Sequence, residues 1–90
     1  MSKSVTPLAD EQVRKVLEFG AKKHGTLEAG GEIYWRRYWD HADDHGTDYL
    51  IEKSLDNPNM VDEETNQHIL AHMIADLKIL LEHELRQEKE

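Results

Sequence analysis

Ninety residues suffice for one domain and not for two. There is no cysteine, so no disulfide supplements a small core, and the formal net charge of -8 disfavours broad contact with a phosphate backbone. No apolar run approaches the roughly 20 residues that span a bilayer, which excludes a membrane-spanning helix and makes the cytoplasm the default location. A small anionic ligand held by a few local cations stays open. So do two readings of the acidity, a solubilising surface or a decoy for a DNA-binding partner.

The pattern predicts a single all-α domain over residues 1–90, with polar ends at 1–6 and 87–90 that fray. A first helix begins near Pro7 to Asp10, where Thr6 before Pro7 and the acidic Asp10 and Glu11 suit a helix N-terminus. Val13, Val16, Leu17 and Gly20 recur at helical spacing and define its buried face, with Gly20 a place for a second helix to come close. Lys22, Lys23 and His24 suit its last turn, and Gly25 is the stop. Gly30 and Gly31 mark the loop that follows.

A second helix is expected from about Glu32 to Asp44 or His45, dense in aromatics at Ile33-Tyr34-Trp35 and Tyr38-Trp39. Gly46 and Thr47 interrupt it, and Tyr49 to Ile51 form a short further helical piece. Ser54 to Met60 reads as loop. Asp62 is the expected N-cap of a long last helix, with Glu63 and Glu64 in its first turn and its end near Arg86. On that helix Ile69, Leu70, Met73, Ile74, Leu77, Leu80, Leu81 and Leu85 form one broad apolar face. The expectation is a small bundle of three main helices with a long C-terminal helix. So much apolar girth in so short a chain predicts completion by oligomerisation, as a homo-oligomer.

Four constellations could carry chemistry. His68, His72 and Asp76 are spaced four apart, so on a helix they share one strip and could ligate a metal, or form a polar seam against a neighbouring helix. Asp40, His41, Asp43, Asp44 and His45 crowd the second helix; carboxylates facing one another across a helix pair hold hard cations, whereas a solvated acidic face is the plainer alternative. Lys22-Lys23 and Arg36-Arg37 are paired cations suited to a phosphate or to salt bridges. Trp35, Tyr38 and Trp39 fit core packing first and stacking on a base second.

The stretch Val16 to Gly25, the pair Trp35-Arg36, the set Tyr38, Asp40, Ala42 and His45, and then Glu64 with Leu70-Ala71-His72 form short motifs scattered through the chain. Together they resemble those of the phage-type dATP/dGTP diphosphohydrolase family, associated with the MazG-like all-α nucleotide pyrophosphohydrolases. Such enzymes use two paired acidic motifs for magnesium. Here Asp40 and Asp43 form one pair, and Asp76 is the lone carboxylate in the middle of the last helix. The resemblance implies cleavage of a deoxynucleoside triphosphate at its α–β linkage with magnesium or manganese. Asp40, Asp43, Asp44 and Asp76 are then the metal candidates, and His45, His68 and His72 ligands or proton carriers. Lys22, Lys23 and Arg36 would meet phosphate, and Trp35 the base. The competing expectation is a non-catalytic phage binding protein that sequesters a nucleotide or blocks a host protein in the host cytoplasm. The enzyme reading requires the acidic patch of the second helix and the imidazole strip of the last to converge on a common cavity.

Overall fold

The computed structural model describes residues 3–24 and 35–89; the side chains of Lys23 and His24 lie outside that description, as do the expected loop glycines and the expected helical start at residues 32–34. Three α-helices account for the architecture: α1 (Pro7–His24), α2 (Trp35–Lys53) and α3 (Ile69–Glu88). The described residues form no strand, only an isolated antiparallel bridge between Val61 and His68. No described helix is long and apolar enough to cross a membrane.

The N-terminus of α1 is held by its own polar residues. Thr6 O accepts from Asp10 N at 2.9 Å, and the Ser4 and Thr6 hydroxyls both donate to the Asp10 carboxylate. Residues 4–6 are therefore a capping segment and not a loose end. These contacts lower the Asp10 pKa, the Ser4 hydrogen bond first.

The second helix runs unbroken through Gly46, against the expected interruption there. One interior glycine costs about 1 kcal/mol of helix propensity, too little to break a helix that packs well on both sides of it. Gly46 also has a packing role: a Cβ there would lie 3.2 Å from Met73 Cε and 3.4 Å from Met73 Sδ. Close helix approach was expected at Gly20, yet a Cβ at Gly20 would meet nothing within 4 Å.

The largest departure from expectation is the start of α3. Asp62 does cap, but it caps a single turn: its Oδ1 accepts from Glu64 N at 2.9 Å and from Thr65 N at 3.2 Å. Asn66 then takes a left-handed conformation, φ 59°, and ends that turn. His68 is the true N-cap of α3, with extended backbone and Nδ1 accepting from Leu70 N at 3.0 Å. His68 N in turn donates to Gln12 Oε1 of α1 at 2.9 Å, tying the start of α3 to α1.

The third helix packs against both others, more extensively against α2, and among the described residues no Cα of α1 comes within 8 Å of one in α2. Val13 of α1 sits on Ala71 and Ala75, with Val16 and Leu17 beside it. Contacts between α2 and α3 run in opposite order, His45 beside His72 and Asp76, Tyr49 beside His68, so the pair is antiparallel. The buried positions of α3 are the two alanines and Ile69, which belongs to the expected apolar face; Leu70, Met73, Leu77 and Leu80 of that face are half-buried. Alanines let neighbouring helix backbones come close, and a helix between two partners buries two flanks. Leu81 and Leu85 are left exposed, as is Ile74, which borders α1.

Candidate functional site

The α2–α3 seam gathers three of the residues singled out from sequence. Helical spacing turns Tyr38, Ala42, His45 and Tyr49 of α2 inward, and Ala42 is fully buried at 1% exposure. Facing them, one turn apart on α3, are His72 and Asp76. His45 Nε2 lies 3.9 Å from Asp76 Oδ2, and the His45 and His72 rings are 5.1 Å apart, tilted by 38°. At 3.9 Å the His45–Asp76 contact is an ion-pair distance, beyond hydrogen-bond reach.

Two residues that sequence reasoning had not placed here complete the cluster. Thr65 Oγ1 lies 2.5 Å from His72 Nε2, and Asp62 Oδ1 is 3.7 Å from the same nitrogen. Both come from the turn before α3. The signal for that turn, Asp62 with Asn66 four residues later, is local and was overshadowed by the run of helix formers after it.

Burial tunes the pair on α3 in opposite senses. Desolvation pushes the Asp76 carboxyl above its ordinary range, offset in part by His45 and His41. Desolvation also lowers His72, assisted by the charge of His45 and opposed by Asp62 and Glu64. Burial thus favours the neutral imidazole of His72, the form able to accept a proton.

The other candidates lie apart from this cluster. Asp40, Asp43 and Asp44 are exposed on α2, and Asp40 Oδ1 accepts from Arg36 Nε at 3.1 Å. Arg36 also lies over the Trp35 ring, 6.0 Å from its centroid. Trp35 and Trp39 are about half open to solvent, at 50% and 48%, so neither is a core residue among the described contacts. Lys22 is exposed near the end of α1, and the Lys23 side chain lies outside the described residues. His68 belongs to the cap, not to a continuous strip with His72, because the helix begins after it. Its ring faces Tyr49, 6.3 Å between centroids.

Magnesium, which the resemblance implies, takes near-octahedral oxygen ligands. The donors around the seam are the imidazoles of His45 and His72 and the carboxylates of Asp62 and Asp76, and among the described residues no three of them are drawn close enough to hold one ion. The described residues therefore do not form a ready-made magnesium cage. A separate cleft of about 500 Å³ opens between α1 and α3, floored by Ala9, Val13, Leu17 and Ile74 and rimmed by Asp10, Arg14, Glu18 and Lys78. Its floor is apolar, and Arg14 on its rim is already held by Glu11 and Glu18.

An all-α chain with an imidazole–carboxylate seam on its central helix is the frame on which the comparison with known families bears. Residues 2–90 match the family described as dATP/dGTP diphosphohydrolase, N-terminal, and the chain belongs to that family. No curated protein and no solved structure matches it.

Proposed function

We propose that this chain is the nucleotide-handling domain of a hydrolase that converts dATP or dGTP to the monophosphate and pyrophosphate. The observation that carries the proposal is the family match over residues 2–90; the α2–α3 seam supplies its chemistry. Neutral His72 takes a proton from the attacking water. His45, 3.9 Å from Asp76 across the seam, is the imidazole placed to return a proton to the leaving pyrophosphate. Arg36 and the half-open Trp35 ring would meet the phosphate and the base, and Lys22 and Lys23 add positive charge.

A divalent ion, magnesium or manganese, enters this proposal as part of the nucleotide complex, because magnesium often binds through substrate phosphates and one or two carboxylates. Asp40, Asp43 and Asp44 on the open flank of α2, and Asp76 at the seam, are the carboxylates offered to it. Incubation with dATP and dGTP, with either ion and with a chelator, tests the proposal by pyrophosphate release. His72→Ala should lower kcat by roughly 100-fold or more while the helical content stays unchanged. Absence of turnover in the folded wild-type chain with both nucleotides and both ions would remove the enzyme reading.

The spread of the carboxylates favours a second reading, a domain that binds a nucleotide without cleaving it. It predicts nucleotide retention with no product, and indifference of that retention to His72→Ala. In either case we propose that the chain works as a homo-oligomer, since Ile74, Leu81 and Leu85 line an exposed stripe of α3.

A further inference from the structure

The turn from Asp62 to His68 is more ordered than a linker requires. Asp62 N donates to Gln67 O at 2.9 Å, Asn66 N donates to Asp62 O at 2.8 Å, and Ile69 N donates to Met60 O at 2.8 Å. With the two bonds to Asp62 Oδ1, this small network fixes the path of the chain between Met60 and Ile69. Its product is the placement of one hydroxyl. Thr65 Oγ1 accepts from Gln67 N at 3.3 Å and sits 2.5 Å from His72 Nε2, seven residues further along the chain.

We propose that Asp62 and Thr65 are positioning residues for the His72 imidazole: Thr65 holds Nε2, Asp62 keeps a negative charge beside it, and Nδ1 is left as the nitrogen that exchanges a proton at the site. A hydroxyl suits this task better than a carboxylate or an amide. With Nδ1 as the nitrogen that exchanges the proton, Nε2 carries its N–H in both protonation states, and the hydroxyl accepts from it throughout. A carboxylate in its place would accept from the same N–H but add a second negative charge beside Asp62, favouring the imidazolium. Nδ1 of His72 has no hydrogen-bond partner among the described residues, whereas Nε2 is occupied. The charged and titratable groups facing the ring are His45 from α2, Asp62 and Glu64 from the turn, and Asp76 one turn along α3.

The kinetic consequence rests on the proposed hydrolysis; the positioning itself does not, so the two can fail separately. The experiment uses the full chain with ¹⁵N-labelled histidine and the variants Thr65→Val, Thr65→Ser and Asp62→Asn. Valine keeps the shape of threonine and loses the hydroxyl. Asparagine keeps an acceptor for Glu64 and Thr65 and loses the charge. Thr65→Val should change the ring-nitrogen shifts of His72 and move its titration, and Thr65→Ser should restore both. Asp62→Asn should move the titration further to acid, since the lost carboxylate favoured the imidazolium. With dATP or dGTP as substrate, Thr65→Val should lower kcat roughly tenfold or more with KM little changed, and shift the pH profile with the His72 titration.

Unchanged His72 shifts in Thr65→Val would overturn the proposal. So would a Thr65→Ser variant as impaired as valine, which would mark the residue as structural only. If wild type turns over neither nucleotide, the hydrolase reading falls and the spectra still decide the positioning.

Discussion

His72 and Asp76 share one turn of α3, and burial drives both towards their neutral forms. The consequence for stability follows from the direction of each shift. Asp76 has a folded-state pKa above its ordinary 3.8, so its contribution to stability is complete below that value and is lost as pH rises through the folded value. His72 has a folded-state pKa below its ordinary 6.5, so its contribution is present above 6.5 and is lost as pH falls through the folded value. Asp76→Asn keeps the volume and removes the ionisation. It should raise Tm at pH 7 and lose that advantage towards pH 4, as followed by thermal melts across the range. A variant that melts lower than wild type at pH 7 would show that the 3.9 Å contact with His45 outweighs desolvation.

At the scale of elements, the two interior glycines differ in what surrounds them. Gly20 of α1 faces open space, so Gly20→Ala should stabilise the chain by about 0.5–1 kcal/mol through helix propensity alone. Gly46→Ala gains the same propensity but pushes a methyl to within 3.2 Å of Met73 Cε. The terminal methyl of methionine is flexible and can give way, so the net change at Gly46 should be small and below that at Gly20. Denaturant midpoints measure both. Where α3 meets α1 the outcome differs again. Ala75 is buried at 2% exposure beside Val13, and Ala75→Leu should cost about 1–3 kcal/mol by overpacking. The buried alanines explain why the leucine face of α3 could be read as the core: periodicity ranks residues by hydrophobicity, whereas close helix contact selects small ones.

For the molecule as a whole, the core is thin. The described buried positions are Val13, Ala42, Ile69, Ala71 and Ala75, and none of the large side chains among them is fully buried. Leu81 is 57% exposed and Leu85 45%, on the flank of α3 that neither described helix covers. A second copy covering that flank would remove several half-exposed leucine-sized side chains from water at about 25 cal/mol per Å². Leu81→Glu should therefore shift sedimentation towards monomer and lower Tm in a concentration-dependent way. Identical sedimentation of Leu81→Glu and wild type would show that this flank is not where copies meet.

Most of the element pattern was legible in the chain: the start of α1 at Pro7, the loop from Ser54, and the helical character of the last third follow from capping residues and 3.6-residue periodicity. The family was legible too, in short motifs from Val16 to His72. The exact start of α3 was not, because Asp62 and His68 are both competent caps and only the contacts of His68 with Gln12 and of Ile69 with Met60 decide between them. Nor could spacing show that His45 meets His72 while Asp40 and Asp44 face solvent. A helix has one periodicity but several flanks, and which flank turns inward is settled by the partner helix that buries it. Sequence by itself determined the all-α class and the kinship of this chain. Tertiary structure decided which imidazoles and carboxylates share a site, since that depends on contacts between segments whose separation along the chain carries no record of their distance in space.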